Sequence, residues 1–267
     1  MSKGSQPTDG GFLLLSAEER DNLISKFPET DTFIKRFVGS RDLINNEVRY
    51  CLWLKGVSPA KYRHIQPIAE RLEQCAASRS KSPTASVRKD AATPMLFTQI
   101  RQPESNYLAV PEVSSQNRRY IPIGFLPKDV IASDSVVLVN NATLYDFGIL
   151  CSNVHNAWMR TIAGRLKNDY RYAPSVYYNF PFPKVNDQQK ERIVKTAQMI
   201  LDARNMYPEN SLADMYGQTM YLYPELSNAH KENDRAVMQA YEFNIKEMSE
   251  ADCVAELMKM YQDLVSK

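Results

Sequence analysis

The sequence predicts an α+β fold, in which a small mixed or antiparallel sheet with flanking helices is followed by an all-α helical bundle. Two observations predict this fold. Short runs rich in aromatic and β-branched residues, separated by Pro, Asn, Ser and Asp, fill residues 95–140 and are typical of strands. Apolar residues at helical spacing precede that segment and dominate the chain after residue 184. With 267 residues and 43% hydrophobic content, the chain is long enough to bury a core.

The first 81 residues predict two helical segments on either side of a strand. Ser16 stands three residues before a glutamate, which is the capping-box spacing, and residues 15–39 predict two short helices interrupted at Pro28. Residues 47–54 alternate in polarity and predict a strand. Residues 58–81 predict a helix with a basic end.

The middle of the chain predicts strands and then one long helix. Four runs are strand candidates: residues 95–100, 107–111, 118–126 and 135–140. Thr143 has an aspartate three residues on and predicts the start of a helix that continues to residue 163. Gly164 is placed to end it.

Three amphipathic helices are predicted in the last third, over residues 187–207, 224–243 and 249–265. The sequence therefore indicates two modules, residues 1–183 and residues 184–267. Their charges differ, because the first module carries 23 Lys and Arg against 17 Asp and Glu, and the second carries 10 against 14. The net charges of +6 and −4 favour an anionic partner, such as nucleic acid, for the first module.

Several other classes of protein are disfavoured by the sequence. The four cysteines are far apart and lack a CxxC pair, which argues against a zinc ribbon or a disulfide scaffold. Ser78 and Lys81 have the Ser-x-x-Lys spacing of some acyl-transfer enzymes, and Cys151 and His155 have the spacing of two metal ligands on a helix. Both patterns lack the accompanying residues, so a solvated loop and a partly buried helix face are favoured, and we expect no catalytic and no metal site.

The sequence does not open with a charged stretch followed by an apolar one, as a secretory leader does, and it contains no run of eighteen apolar residues. We therefore expect a cytoplasmic protein without a membrane partner, with its thiols reduced.

Basic and hydroxyl side chains occur in several separate segments of the first module. Arginine and hydroxyl groups of this kind can bind phosphate oxygens. The candidates for phosphate contact are Ser114, Ser115, Arg118, Arg119, Arg79 and Lys81.

The segment Gly164–Tyr172 carries Arg165, Lys167, Asp169 and Arg171 at alternate positions, which predicts one charged face if the segment is extended. In the DNA major groove guanine offers acceptors to Lys or Arg, and cytosine offers an amino donor to Asp. Lys167 and Asp169 could therefore read both bases of one G·C pair, with Arg165 and Arg171 beside them. A surface strand with internal salt bridges is the alternative.

Seven ordered blocks, including "VSSQNRRYIPIGF", "GRLKNDYRY", "VYYNFPFP" and "ELSNAHKENDRAVMQAY", cover nearly the whole chain. Together they resemble the C-terminal part of single-chain type IIG, or IIL, restriction-modification enzymes of the MmeI kind. In that family the region is a target recognition domain followed by a helical domain. Two positions depart from the family pattern: Gln116 stands in place of an acid, and Phe182 in place of tryptophan.

The resemblance implies a sequence-specific module that binds double-stranded DNA, with Lys167, Asp169 and Arg171 at positions that vary with the base recognised, and with Ser135 as a further candidate. It implies no cofactor in this chain. S-adenosylmethionine, Mg²⁺ for an endonuclease, and a partner methyltransferase domain would belong to the intact enzyme, which flips an adenine from the duplex. The alternative is a non-enzymatic protein-interaction scaffold.

Overall fold

The computed structural model describes residues 1–266. Its first half contains nine strands and four α-helices: β1 (Ser2–Lys3), β2 (Leu14–Leu15), α1 (Ala17–Lys26), β3 (Ile34–Val38), α2 (Ser40–Asn45), β4 (Arg49–Leu52), α3 (Gln66–Ser80), α4 (Ala85–Lys89), β5 (Tyr107–Pro111), β6 (Val113–Ser114), β7 (Gly124–Leu126), β8 (Ile131–Ala132) and β9 (Val136–Asn140).

The second half is mainly helical: α5 (Leu144–Leu150), α6 (Asn153–Ile162), β10 (Gly164–Leu166), β11 (Asp169–Arg171), α7 (Pro174–Tyr178), α8 (Asp187–Asn205), α9 (Leu212–Met215), α10 (Pro224–Ala240) and α11 (Glu250–Val265). Short 3₁₀ turns lie at Pro28–Thr32, Pro59–Lys61, Asp90–Ala92 and Met220–Leu222. Within residues 1–266, none of the helices combines the length and the apolar character needed to cross a bilayer.

The strands form three small sheets rather than one. The order β1-β9-β5-β7 is antiparallel throughout, whereas β2-β4-β3-β8 is mixed because β3 and β8 run parallel. The third sheet, β10-β11-β6, is antiparallel and places the β10–β11 hairpin against the start of the 115–119 loop. This third sheet positions most of the charged residues predicted from the sequence.

The first sheet and the C-terminal helices share a hydrophobic core. Leu108 and Val139 of the sheet belong to the same buried cluster as Ile193 of α8, Val237 of α10 and Leu257 of α11. The opposite face of the same strands packs into a separate small cluster, so β5 is buried on both faces and is almost purely apolar. The predicted boundary between residues 183 and 184 stays a prediction. The shared core contains residues from both sides of it.

A second core lies under the mixed sheet, where Leu52 packs with Ile68 and Cys75 of α3. It contains residues from the first 131 positions alone.

The α+β class and the helical C-terminal region are confirmed. The capping boxes predicted at Ser16 and Thr143 form, and Ser249 makes a third. In each, the hydroxyl accepts the backbone N–H of the acid three residues on, and that acid accepts the backbone N–H of the capping residue.

Three local predictions are wrong. Residues 34–38 form β3 instead of a second helix, since they pair with β4 and β8 and bury Ile34 and Phe37 in the second core. Residues 95–100 form no strand beyond one isolated bridge at Gln99. The predicted long helix is divided into α5 and α6 because Ser152 caps a new helix start, donating to Ile149 O and accepting from His155 N.

Candidate nucleic-acid interface

The segment that carries the charged residues is a tight hairpin. Leu166 is paired with Asp169, so Lys167 and Asn168 form a two-residue turn, and Lys167 has a φ of +56°. Lys167 is exposed at the tip.

The expectation that four alternate residues share one face is therefore wrong. Paired residues of an antiparallel hairpin point to the same side, and Arg165 is paired with Tyr170. Its guanidinium lies 3.7 Å from the centre of the Tyr170 ring and donates to Asn168 O at 2.9 Å. Asp169 and Arg171 lie on the opposite side.

The Asp169 side of the hairpin joins residues that are far apart in the sequence. Arg171 Nε donates to Glu112 Oε1 at 2.9 Å, and Lys3 Nζ donates to the same oxygen at 2.8 Å. Glu112 N donates to Ser135 O at 2.9 Å, so Ser135 lies beside Arg171 as part of one surface. Burial would raise the pKa of Glu112, but the hydrogen bonds from Lys3 and Arg171 outweigh it and lower that pKa.

Asp169 connects the hairpin to the 115–119 loop. Its Oδ1 accepts the backbone N–H of Gln116 at 3.1 Å. Ser115 Oγ accepts from Asn117 N at 3.3 Å, and Ser114 is almost fully buried because it is paired with Tyr170 in the third sheet. Ser114 is therefore poorly placed to contact a phosphate.

Next to this loop lies a cavity of about 480 Å³, here named the arginine cleft. It is formed by the 116–119 loop, α6, the end of α10 and the beginning of α11. The polar side chains that line it are Gln116, Asn117, Arg118, Arg119, Asn153, Arg160, Ser249 and Glu250. Arg118 and Arg119 are thus brought together with Arg160, a residue that sequence reasoning missed because it is a single cation on an apolar helix.

The three guanidiniums of the arginine cleft are engaged to different degrees. Arg118 Nε is buried and has no hydrogen-bond partner among residues 1–266, and burial lowers the pKa of this guanidinium while nearby Asp169 opposes that shift. Arg160 is held by Glu250 through two bonds, Nε to Oε1 at 2.7 Å and Nη2 to Oε2 at 2.8 Å. Arg119 is exposed, and its Nη2 lies 3.9 Å from Asp234 Oδ2.

Asp234 of α10 anchors the cleft from behind. Its Oδ2 accepts from Tyr120 Oη at 2.6 Å, and its Oδ1 accepts from Asn153 N at 2.8 Å. Burial raises the pKa of Asp234 to about 6, although these hydrogen bonds and Arg119 act in the other direction. One carboxyl group therefore ties the loop of the arginine cleft to α6 and α10.

The prediction of Arg79 as a phosphate contact is wrong. Arg79 is 1% exposed, and all five of its N–H groups donate to backbone carbonyls. The acceptors are the carbonyl oxygens of Pro7, Thr8, Asp90, Thr93 and Leu96. Its guanidinium is a structural crosslink, whereas Lys81, two residues on, is exposed at the end of α3.

Cys151 and His155, which have the spacing of two metal ligands, are both buried in the structure. Burial raises the pKa of the Cys151 thiol to about 12 and lowers that of His155 to about 4. Both ring nitrogens of His155 are engaged, by Leu150 O and by Tyr172 Oη, each at 3.0 Å. No group of three potential metal ligands occurs within residues 1–266. Ser78 and Lys81 are joined by a backbone bond at the end of α3, from Lys81 N to Ser78 O at 3.3 Å.

Two family models of known proteins together match the whole chain. The family model described as "MmeI, target recognition domain" matches residues 1–184, and that described as "MmeI, C-terminal domain" matches residues 185–267. DNA methyltransferase A of Bacillus subtilis (strain 168) is 36% identical over 266 residues, which cover 99% of this chain and 30% of that protein.

A solved structure is similar over the full length of the chain. It is described as the type IIL restriction-modification enzyme MmeI in complex with DNA, and it matches with a TM-score of 0.95 and 38% identity. The match covers 100% of this chain and 35% of that one. The chain thus spans about a third of the length of the proteins it matches.

Proposed function

This chain belongs to the family of the MmeI target recognition and C-terminal domains, and from that premise we propose that it recognises a short sequence in double-stranded DNA. The observation that carries the proposal is the position of the β10–β11 hairpin. Its tip exposes Lys167, and its Asp169 side joins Arg171 and Ser135 on one surface beside the arginine cleft. Base-reading donors and acceptors then lie next to cations suited to phosphates.

For base readout we propose Lys167 and Asp169, with Arg171 beside them. Lys167 would donate to guanine acceptors, and the Asp169 carboxylate would accept from cytosine. Its Oδ2 is available for this role, because the bond from Gln116 uses Oδ1. Ser135 is a weaker candidate, since its Oγ already bonds Ser133 Oγ at 2.7 Å and accepts from Ser40 N at 3.0 Å.

Arg165 contributes indirectly in this proposal. Its stacking on Tyr170 and its bond to Asn168 O hold the turn in place, so it supports the tip more than it reads a base. Arg118, Arg119, Ser115 and Lys81 are the proposed phosphate contacts, because the Ser115 hydroxyl accepts from Asn117 N and can still donate.

The whole enzyme would supply the chemistry. We propose that this chain works with an adenine-methylating domain of a type IIG enzyme, which uses S-adenosylmethionine and, for cleavage, Mg²⁺. Neither the arginine cleft nor the titratable side chains of residues 1–266 suit these two groups. The arginine cleft is lined by three guanidiniums, which repel a sulfonium cation and suit an anion. A magnesium ion needs oxygen ligands, and no suitable cluster is found within residues 1–266.

Selection from a pool of randomised duplex DNA tests the proposal. The purified chain is incubated with the pool at low and moderate salt, and the retained duplexes are sequenced. Enrichment of one short motif is the expected result. Salt-sensitive retention without a motif would mean that readout requires the methyltransferase, and no retention at either salt concentration would favour a protein-interaction scaffold.

A further inference from the structure

We propose that the arginine cleft is a phosphate-binding site built jointly by the 116–119 loop, α6 and α11. In the absence of phosphate, the Glu250 carboxylate accepts the hydrogen bonds of Arg160, and a bound phosphate takes its place. This inference rests on the proposed function and extends it, because it assigns part of the DNA backbone contact to the C-terminal helices. The ligand chemistry is a phosphate oxyanion, from a DNA backbone or from free phosphate.

The first argument is the unused hydrogen-bonding capacity of the cleft. A buried N–H without an acceptor costs about 1–3 kcal/mol, so folded proteins rarely keep one without a reason. Arg118 Nε is such a group, and it lies in the wall of an open cavity. Asn153 is half-buried, and its buried Oδ1 atom also has no partner among residues 1–266. A phosphate oxygen would accept from Arg118 Nε–H, and a water bound beside the phosphate would donate to Asn153 Oδ1.

The second argument is the charge of the lining. Three arginines and one glutamate line the cleft, which leaves an excess of positive charge in a partly enclosed volume. Asp234 adds its carboxyl group behind the wall, but it is buried and already accepts two hydrogen bonds. Guanidinium groups bind phosphate through parallel N–H···O bonds, so this set of residues favours that ligand.

The third argument is the geometry of the Arg160–Glu250 pair. Two parallel bonds join the guanidinium to the carboxylate, which is the arrangement that a phosphate would adopt in its place. The Glu250 side chain is 55% exposed and can turn into solvent, whereas Arg160 is only 20% exposed and is also held by Arg119 O. Glu250 is therefore a stand-in for the ligand that can leave while Arg160 stays in position.

The experiment measures how duplex affinity depends on salt for the wild-type chain and for four variants. Each lost phosphate contact should reduce the slope of log K against log salt by about 1. We expect this reduction, with about tenfold weaker binding at low salt, for Arg118→Gln and Arg160→Gln. Glu250→Gln should bind about threefold or more tightly because Arg160 is released. Arg20→Gln is the matched control, since it removes a partly exposed arginine that pairs with Asp21 and Asp31 and is distant in sequence from the residues of the arginine cleft.

A second measurement follows ligand binding on the wild-type chain itself, and a variant is needed only to assign the signal. The Arg118 Nε–Hε signal of the wild-type chain is followed by NMR during titration with a duplex and, separately, with inorganic phosphate; Arg118→Lys identifies the signal. A shift of the Arg118 signal with both ligands, together with smaller salt slopes for the Arg118→Gln and Arg160→Gln variants, supports a site that binds the phosphates of DNA. A shift with inorganic phosphate but unchanged salt slopes would show that the site binds free phosphate and not the DNA backbone.

The remaining outcomes separate this inference from the proposed function. If the wild-type chain selects a motif but neither ligand shifts the Arg118 signal, the arginine cleft is not a phosphate site, although target recognition stands. If inorganic phosphate shifts the signal while the chain retains no duplex, the phosphate site stands and the proposed function fails.

Discussion

Two groups of partly or fully buried arginines in this chain differ in what their donors bind. Arg79 and Arg204 are each less than 10% exposed, and fixed internal acceptors hold both. Arg204 donates to Tyr216 Oη at 2.8 and 2.5 Å and to Ile123 O at 2.7 Å. In the arginine cleft, by contrast, Arg118 Nε has no acceptor within the described range 1–266, and Arg160 is held by a largely exposed carboxylate. Availability of donors, rather than burial alone, separates structural from candidate binding arginines.

The largest expected effect is at Arg79. Replacing it with methionine would remove five hydrogen bonds. Asp90 O and Thr93 O keep backbone donors, whereas three carbonyl oxygens, those of Pro7, Thr8 and Leu96, would lose the donor they have within residues 1–266, at about 1–3 kcal/mol for each one that water cannot reach. We expect Arg79→Met to lower the free energy of unfolding by more than about 3 kcal/mol in urea titration. A loss below about 1 kcal/mol, on the scale of a single hydrogen bond, would contradict the structural role.

The next effect concerns Asp234, which holds the cleft loop to α10. Since its pKa is raised from 3.8 to about 6, the folded chain binds more protons than the unfolded chain between those values. Wild-type stability should therefore fall by up to about 3 kcal/mol relative to Asp234→Asn as pH rises from 4 to 7.

Urea titrations of the wild-type chain and of Asp234→Asn, at several pH values between about 4 and 7, measure the difference between their free energies of unfolding. A constant difference would show that Asp234 does not titrate with the raised pKa. A wild-type chain that gains stability relative to the variant as pH rises would reverse the sign and show that the hydrogen bonds outweigh burial.

A smaller effect is expected at the hairpin. Exchanging charges with Lys167→Glu and Asp169→Arg should change the preferred base pair at one position by about 1–3 kcal/mol of discrimination. Lys167→Glu should change stability by less than about 0.5 kcal/mol, since Lys167 lies on the exposed turn, whereas Asp169→Arg should cost about 0.5–1.5 kcal/mol because it removes the acceptor of the Gln116 N–H. Lys167→Asn is the control for the turn, because asparagine tolerates the φ of +56° and removes the charge. Equal weakening of binding to all sequences would count against base readout.

The smallest effect on stability is expected at Lys81, the neighbour of Arg79. It is exposed, so Lys81→Gln should leave the free energy of unfolding within about 0.5 kcal/mol. If Lys81 contacts a phosphate, the salt slope of duplex binding should fall by about 1. An unchanged slope would remove Lys81 from the proposed interface and leave the cleft arginines as its main cations.

Local signals in the sequence were sufficient for the family and for most helices. The seven blocks identify the family, and the capping boxes at Ser16, Thr143 and Ser249 define helix starts because the groups that bond are only three residues apart. The hairpin was misread because "GRLKNDYRY" lacks the Asn-Gly or Asp-Gly pair that commonly marks a two-residue turn. The left-handed conformation falls on Lys167 instead.

By itself, the sequence determined the α+β class, the helical C-terminal region and the positions of the charged segments, since these depend on residue type and short-range periodicity. Only the tertiary structure decided which charges are available. Arg79 and Lys81 are two residues apart, yet one is enclosed by carbonyls of residues 7 and 8 and the other faces solvent. Arg118, Arg160 and Glu250 meet across more than 130 residues of chain. Such contacts depend on how distant segments pack, and no local pattern encodes them.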